Sequence, residues 1–385
     1  MEKNVLITNI GSSSKKYHLY LGERPLIDAH FEHDKEGFVV TYGGGKTEEI
    51  NSEGYKNSLS YFCDVAKKLG HISNTNPISL VGIRVVAPGE YFTKDHVVDG
   101  EFVEKLEMVA KKDLTHIEPI QTELGFINKL FPEIKVVAVS DSAFHSTMPQ
   151  IARLYAIPMK LAEEKDLYRF GFHGISISSI VRNLTARPSG IENRVIVCHL
   201  GSGASVTALL DGKSIDTSMG YSPLEGLVMS SRVGNIDAGA VIYLAETRSA
   251  NDLQKLFYYD SGLLALSDLS GDMRVLIDAE KNGHAGARLA IETFVYNIRK
   301  YIGAYSTVLG GVDAIVFSGT IGERSDIIRE RICDSLKYLN IRIDLEKNRR
   351  MINDVDIAEA GSVSIYIMHG DEAGEILNRS NMAVK

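Results

Sequence analysis

Asn4-Val-Leu-Ile-Thr-Asn9-Ile-Gly11-Ser12-Ser13-Ser14-Lys15-Lys16-Tyr17-His-Leu-Tyr-Leu-Gly22 and Arg194-Val-Ile-Val-Cys198-His199-Leu-Gly201-Ser202-Gly203-Ala-Ser205-Val-Thr-Ala-Leu-Leu-Asp-Gly212 are one pattern written twice, 190 positions apart. They align without a gap: Val5 falls on Val195, Gly11 on Gly201, Ser12 on Ser202, Leu19 on Leu209 and Gly22 on Gly212. Each copy is an apolar β-branched run, a Gly/Ser turn, a second strand-like run and a closing Gly, which predicts a β-hairpin. Its repetition predicts a duplicated architecture. A Gly/Ser turn gathers backbone N–H groups and hydroxyls at one point, a cradle of phosphate size. Two such turns facing one another across a cleft would hold the two ends of a phosphate chain.

Working outward, the first half carries strand patterns at Phe38–Tyr42, Ser79–Val86 and Val136–Val139, with helices expected over Tyr55–Leu69 and around Ile120–Leu130. The second half repeats the theme, with a strand at Ala314–Phe317 ending in a small polar turn like that after Val139. Ile291, Phe294, Val295, Ile298 and Ile302 fall at helical spacing and predict a core helix over Arg288–Gly303. The expected division is a first domain over 1–150 and a second over 151–364. The C-terminal segment, about 365–385, is expected to return to the first domain, and with it the strand Val363–Met368.

The 385 residues suffice for two full cores. Hydrophobic content of 44% and charged content of 24% are those of an ordinary globular chain. A net charge of −8 argues against nucleic acid or an anionic membrane as partner. Three scattered cysteines, Cys63, Cys198 and Cys333, form neither a disulfide framework nor a zinc pattern. Met1-Glu-Lys-Asn runs directly into a strand, which predicts no signal peptide, and no apolar run has the length of a membrane span. A reducing cytoplasm is the expected location.

Two arginines stand out. Arg84 lies inside the apolar strand Ile83-Arg84-Val85-Val86, where a guanidinium is costly unless it is paired or faces a ligand. Arg232 closes a Gly-rich run from Asp216 that also contains Leu227-Val-Met229, the composition of an ordered loop that lines something. Two arginines together with two phosphate-sized turns point to anion binding. Asp141 follows a strand end, and His173 is flanked by glycines and aromatics. Asp371 and Glu372 follow the last strand, where they either reach a metal or begin a helix.

Over nearly its whole length the chain resembles the acetate kinase family of the acetate and sugar kinase/Hsp70/actin superfamily. The motifs are Asn9-x-Gly-Ser-Ser-Ser-x-Lys16, Arg84-Val-Val86, Asp141-Ser-Ala-Phe-His-Ser-Thr-Met-Pro149, Arg169-Phe-Gly-Phe-His173-Gly174, His199-Leu-Gly-Ser-Gly-Ala-Ser205, Asp216-Thr-Ser-Met-Gly-Tyr-Ser-Pro223-Leu-Glu-Gly-Leu-Val-Met229, Gly271-Asp272-Met273-Arg274, Tyr301-Ile-Gly-Ala-Tyr305 and Ile321-Gly-Glu323. The resemblance implies two duplicated α/β domains of ribonuclease-H-like (actin-like ATPase) fold, each a mixed sheet flanked by helices, with the active site in the interdomain cleft. It implies reversible phosphoryl transfer from ATP to acetate or a similar small carboxylate, giving acyl phosphate and ADP, with Mg²⁺ or Mn²⁺ and in a homodimer.

Carried over by motif, Arg84, Asp141, His173 and Arg232 are the catalytic candidates. Arg84, Val86, Ile117, Phe172 and Pro223 would bind the acid. Ser12, Lys16, His199, Gly201, Ser202, Gly203, Asp272, Met273, Arg274, Thr320, Ile321, Gly322 and Glu323 would surround the nucleotide, and Asn9 and Asp371 would hold the metal. The departures cluster at the site. Ile83, Ala87 and Glu118 stand where the family has histidines, Ser202 and Arg324 where it has asparagines, and His369-Gly370-Asp371-Glu372 replaces Thr-Asn-Glu-Glu. They leave open a member with a changed donor, such as pyrophosphate, a changed acceptor acid, or a catalytically weak nucleotide-binding homologue.

Overall fold

The computed structural model describes residues 2–11, 14–33, 37–110, 114–350 and 354–385. The chain forms two compact units, residues 1–143 with 371–385 and residues 144–370.

In the first unit, β1 (Asn4–Ile10), β2 (Ser14–Leu21), β3 (Arg24–His33), β4 (Phe38–Tyr42), β5 (Lys46–Ile50), β6 (Ile78–Val85), β7 (His96–Val97) and β8 (Lys135–Ser140) form one sheet in the order β5-β4-β3-β2-β1-β6-β8-β7. The predicted hairpin is present: β1 and β2 pair antiparallel from Asn4↔Leu21 to Ile10↔Lys15. β6 lies parallel to β1, and β8 parallel to β6, so the sheet is mixed. One face carries the apolar core, with Leu6, Tyr17, Phe31, Phe62, Phe102 and Ile117 all buried. The helix Glu372–Ala383 contacts β1, β6 and β8. Close packing there requires Gly82, because a Cβ at that position would stand 2.4 Å from Ser380 Oγ and 2.9 Å from Ile7 Cδ1.

The second unit repeats the plan with six strands: β9 (Arg194–Leu200), β10 (Ala204–Leu210), β11 (Lys213–Thr217), β12 (Ala314–Ser318), β13 (Val355–Asp356) and β14 (Ser364–Ile367), in the order β11-β10-β9-β12-β14-β13. β9 and β10 form the second predicted hairpin, and β12 and β14 follow in parallel. Both sheets therefore contain three antiparallel strands continued by two parallel ones, the duplicated ribonuclease-H-like arrangement. The helix Ala285–Val308 buries Ile291, Phe294, Val295, Ile298 and Ile302, the predicted stripe. Burial of side chains of this size stabilises by about 1.5–3 kcal/mol each.

Two expectations need correction. The strand Val363–Met368 does not join the first sheet: β14 pairs with β12 from Ala314↔Ser364 to Phe317↔Ile367. The crossing comes after it, in the helix Glu372–Ala383. The helix expected over Tyr55–Leu69 is two helices, Ser52–Lys56 and Ser58–Lys68, because Asn57 leaves helical geometry at φ −93, ψ 26.

Candidate functional site

Each unit contributes a cluster where its parallel strands end, the edge at which open α/β sheets bind ligands. In the first unit, β1 and β6 are parallel with Thr8 opposite Ile83, so Asn9 and Arg84 come next on adjacent strands. β8 ends at Ser140, and the Asp141 N–H continues the sheet onto the Val85 carbonyl. The Asp141 carboxylate is 1% exposed and lies 3.0 Å from Arg84 Nη2. Arg84 Nη1 donates to Asn9 Oδ1 at 3.3 Å and lies 3.7 Å from Glu372 Oε2. Burial pulls the Arg84 pKa down, but Asp141 and Glu372 more than offset it, and the group stays cationic well above the ordinary arginine value. Its Nε–H is buried and has no hydrogen-bond partner among the described residues.

The two acids that follow the last strand have different uses. Asp371 caps the helix it begins, its Oδ1 accepting from Gly374 N at 2.9 Å. Glu372 turns back to the sheet, and its Oε2 accepts from Asn9 Nδ2 at 2.6 Å. Sequence reasoning named both acids as able to reach a metal, and the carry-over by motif assigned the metal to Asp371 alone. Lys16 stands exposed on β2 opposite Asn9. Ser12 lies outside the described residues. Val86 is half-buried, and Ile117 is buried beside Ile83 and Ala87, which carry apolar side chains into the core where the family has histidines. Glu118 is exposed.

In the second unit, His173 has a left-handed backbone (φ 62) at the start of the helix Gly174–Thr185. Its Nδ1 is 3.0 Å from Ser205 Oγ, and its ring centroid is 4.6 Å from that of His199. His199 Nδ1 lies 3.2 Å from Ser176 Oγ and 3.1 Å from Ser318 Oγ. Gly203 fixes where these groups converge: a Cβ there would stand 3.3 Å from His173 Nε2 and 3.5 Å from Arg232 Nη1. The same Nη1 reaches the Pro223 carbonyl at 3.5 Å, and the guanidinium sits over the Tyr258 ring.

The loop between Asp216 and Asn235 is as ordered as its composition predicts. Met219, Leu227 and Met229 are fully buried. Glu225 pairs with Arg169 at 2.6 Å and accepts from the Tyr155 hydroxyl. Gly226 and Asn235 bond to each other twice. Phe172 and Pro223 are buried in this unit.

The remaining second-unit candidates gather around one group of turns. Gly201 N donates to Gly203 O, Ser230 N to Ser202 O, and Ser230 Oγ to Gly271 O at 2.6 Å. Asp272 caps the helix Met273–Lys281 and pairs with Arg274, which holds its carboxyl below the usual range; Met273 is buried. The turn after β12 is pressed against β9, and a Cβ on Gly319 (φ +74) would lie 2.7 Å from Leu200 O. Glu323 Oε1 accepts from Gly319 N at 3.0 Å, and its Oε2 is 3.0 Å from His369 Nδ1. Ser205, Ser230, Ser318 and His369 lie in or beside the quoted motifs but received no role there, since a serine or histidine one strand away carries no local signal.

The model of the acetokinase family matches residues 4–378. The chain belongs to that family. It is 35% identical to an acetate kinase of Acetivibrio thermocellus over 99% of both chains. With an acetate kinase of Pseudothermotoga lettingae it shares 38% identity over 89% of this chain and 88% of the other. Among solved structures, a propionate kinase from Francisella tularensis superimposes with a TM-score of 0.90 at 31% identity, covering 99% of each chain. The acetate kinase of Porphyromonas gingivalis does so with 0.87 at 32%, covering all of both. The acetokinase-family chain is thus a phosphotransferase whose acceptor is a carboxyl group.

Proposed function

We propose that this acetokinase-family chain transfers the terminal phosphoryl group of ATP to acetate or a similar short carboxylate, reversibly, through the residues described above. The supporting observation is the Arg84 guanidinium, held by Asp141 and Asn9 yet keeping a buried Nε–H without a partner among the described residues. A buried donor left unpaired is costly, and an anionic substrate oxygen satisfies it.

The chemistry needs positioning more than proton transfer. The acid is already a carboxylate at neutral pH, since carboxyl pKa values lie near 4. No base has to remove a proton before its oxygen attacks the terminal phosphorus. That P–O bond forms as the bond to the ADP oxygen breaks, with negative charge spread over the equatorial phosphoryl oxygens. Arg84 neutralises and orients the acid. Asp141 acts by holding Arg84 rather than as a base. His173, with Nδ1 held by Ser205, directs Nε2 to the place where Arg232 also points, and these two groups meet the moving phosphoryl. Val86, Ile117, Phe172 and Pro223 take the apolar end of the acid. Lys16 and Ser12 meet the phosphates. His199, the turn Gly201–Ser202–Gly203, the segment Asp272–Met273–Arg274 and the turn Thr320–Ile321–Gly322–Glu323 receive the nucleotide.

A divalent cation belongs to this reading. Asn9 Oδ1, Asp141 and Glu372 are hard oxygen donors set around the Arg84 guanidinium. Oxygen donors of this kind suit Mg²⁺ (or Mn²⁺), which retains water and takes other ligands from phosphate. When bound, the ion would neutralise phosphate charge, with Asn9 and Glu372 as holders.

A homodimer fits the helix Ala238–Ala245, which buries no residue although it reads Ala-Gly-Ala-Val-Ile-Tyr-Leu-Ala. Ile242 and Tyr243 are 68% and 72% exposed, a face that a second copy would cover. A cytoplasmic location fits three free, buried cysteines and the absence, among the described residues, of a helix long and apolar enough to cross a membrane.

A hydroxamate assay for acyl phosphate, run with formate, acetate, propionate and butyrate and with ATP or pyrophosphate as donor, tests the proposal. Product from ATP with acetate or propionate is expected. Product from pyrophosphate alone, or none from any pair, would overturn it.

A further inference from the structure

Arg329 is among the largest fully buried side chains of the described residues, and it forms no salt bridge with any of them. Its guanidinium is satisfied by neutral acceptors: Nη1 donates to the carbonyls of Gly322 at 2.8 Å and Glu323 at 2.9 Å, Nε to Asn348 Oδ1 at 2.7 Å, and Nη2 to the Asn348 carbonyl at 2.9 Å. Asn348, itself buried, also donates to the Asp326 carbonyl at 3.0 Å. The fork thus spans two segments, the turn helix Gly319–Arg324 after β12 and the helix Leu345–Arg350. Burial pulls its pKa down to about 10, Asp326 and Cys333 opposing this only in part.

Stability alone does not account for such a residue. Taking a charge out of water costs several kcal/mol, and a well-packed apolar side chain commonly serves as well or better. What an apolar residue cannot do is hold two consecutive carbonyls in a fixed direction. The last carbonyls of a helix have no partner of their own, and a cation there is favourable both as donor and against the helix dipole. The planar five-donor fork suits that task; a lysine ammonium offers one point charge on a flexible stem.

We infer that Arg329 is a positioning residue for the donor site: it fixes the backbone of the turn 319–323, and through it the nucleotide, without touching substrate. This rests on the proposed assignment of that turn to the nucleotide. The other face of the turn is already fixed by Gly319 against Leu200 O and by Glu323 on Gly319 N, so Arg329 supplies the constraint from beneath.

The test is Arg329→Lys in the full chain, assayed with ATP and acetate varied independently. The KM for ATP should rise on the order of tenfold, the loss of roughly one charged hydrogen bond, while the KM for acetate changes by less than about twofold. Stabilisation of the variant against heat by ADP should shrink in parallel. Should Arg329→Lys fail to fold, Asn348→Ala carries the same test, since it removes the side-chain acceptor and leaves the guanidinium. A lower Tm with an unchanged ATP KM, or equal rises in both KM values, overturns the inference and marks Arg329 as structural. If the parent protein neither uses ATP nor is stabilised by ADP, the assignment of the turn fails first, and the inference with it.

Discussion

Asn9 Nδ2 donates to Glu372 Oε2 at 2.6 Å, joining the end of the first strand to the first turn of the last helix across 363 positions of sequence. That bond orients the Asn9 amide so that Oδ1 faces Arg84. The acid that reaches Arg84 through Asn9 is therefore Glu372, while Asp371 caps the helix.

Glu372→Gln should consequently be the damaging change of the pair. It keeps an acceptor for Asn9 but removes the charge, and the Mg²⁺ concentration for half-maximal activity should rise by about 10–100-fold, the usual effect of disturbing a metal's supporting residues. Asp371→Asn preserves a good capping side chain and should leave the Mg²⁺ requirement within about threefold. A Mg²⁺ titration of both variants decides; the reverse order would return the metal role to Asp371.

Arg84 and Arg232 should be the least replaceable residues of their units. Arg232→Ala should lower kcat by about 10³-fold or more, the range for guanidinium groups that meet a phosphoryl transition state. Arg84→Ala adds a stability loss of about 3–5 kcal/mol, because it removes the cation 3.0 Å from the buried Asp141 carboxylate. Arg84→Lys keeps the charge without the fork and separates the two effects: it should fold and still turn over poorly. Steady-state kinetics together with thermal unfolding make the comparison, and turnover near the parent's in Arg232→Ala or Arg84→Lys would contradict the assignment.

The fold was legible because its defining element is local. The apolar β-branched run Val5–Ile10, a Gly/Ser turn, and a repeat of both at Val195 are properties of neighbouring residues. The core helix at Ile291–Ile302 was legible for the same reason. What failed was non-local. Nothing in Ser364–Ile367 says which sheet it will extend, since an apolar strand fits either. The helix Leu114–Leu130 contains Pro119, a residue that argues locally for a later start. Among the site candidates, Arg84 stood out as a charge in an apolar strand and Arg232 as the end of a Gly-rich run. The choice between Asp371 and Glu372 was not visible, because successive helical residues point about 100° apart and only the phase of the first turn decides which one faces the sheet.

The exposed helix Ala238–Ala245 gives a prediction about assembly. Ile242 and Tyr243 both stand in solvent in the single chain. The parent should elute, by light scattering, at roughly twice the chain mass of 42.4 kDa. Ile242→Glu combined with Tyr243→Glu places charges where the second copy would bury them and should give a monomer. A parent that is monomeric at micromolar concentration, or a dimer unmoved by the double change, would place the interface elsewhere or nowhere.

Glu123 supplies a prediction in pH. Its side chain is 1% exposed in the first unit's core, and Oε1 has no hydrogen-bond partner among the described residues. Burial raises its pKa, with Lys15 and a hydrogen bond from Tyr17 offsetting only part of the effect. The native state therefore binds this proton more tightly than the unfolded chain. At pH below the unfolded value, near 4.3, both states are protonated and the group costs nothing. As pH rises through that value towards the raised native one, the unfolded chain releases its proton first, and stability falls with pH. Above the native value the full loss persists. Glu123→Gln lacks the proton and hence the loss, so the variant should be more stable than the parent by about 1–3 kcal/mol at pH 7.5, with the difference shrinking towards zero near pH 4. Urea unfolding of both proteins at several pH values between these limits measures it. A pH-independent difference, or a destabilised variant at pH 7.5, would mean that Lys15 and Tyr17 fully compensate the buried charge.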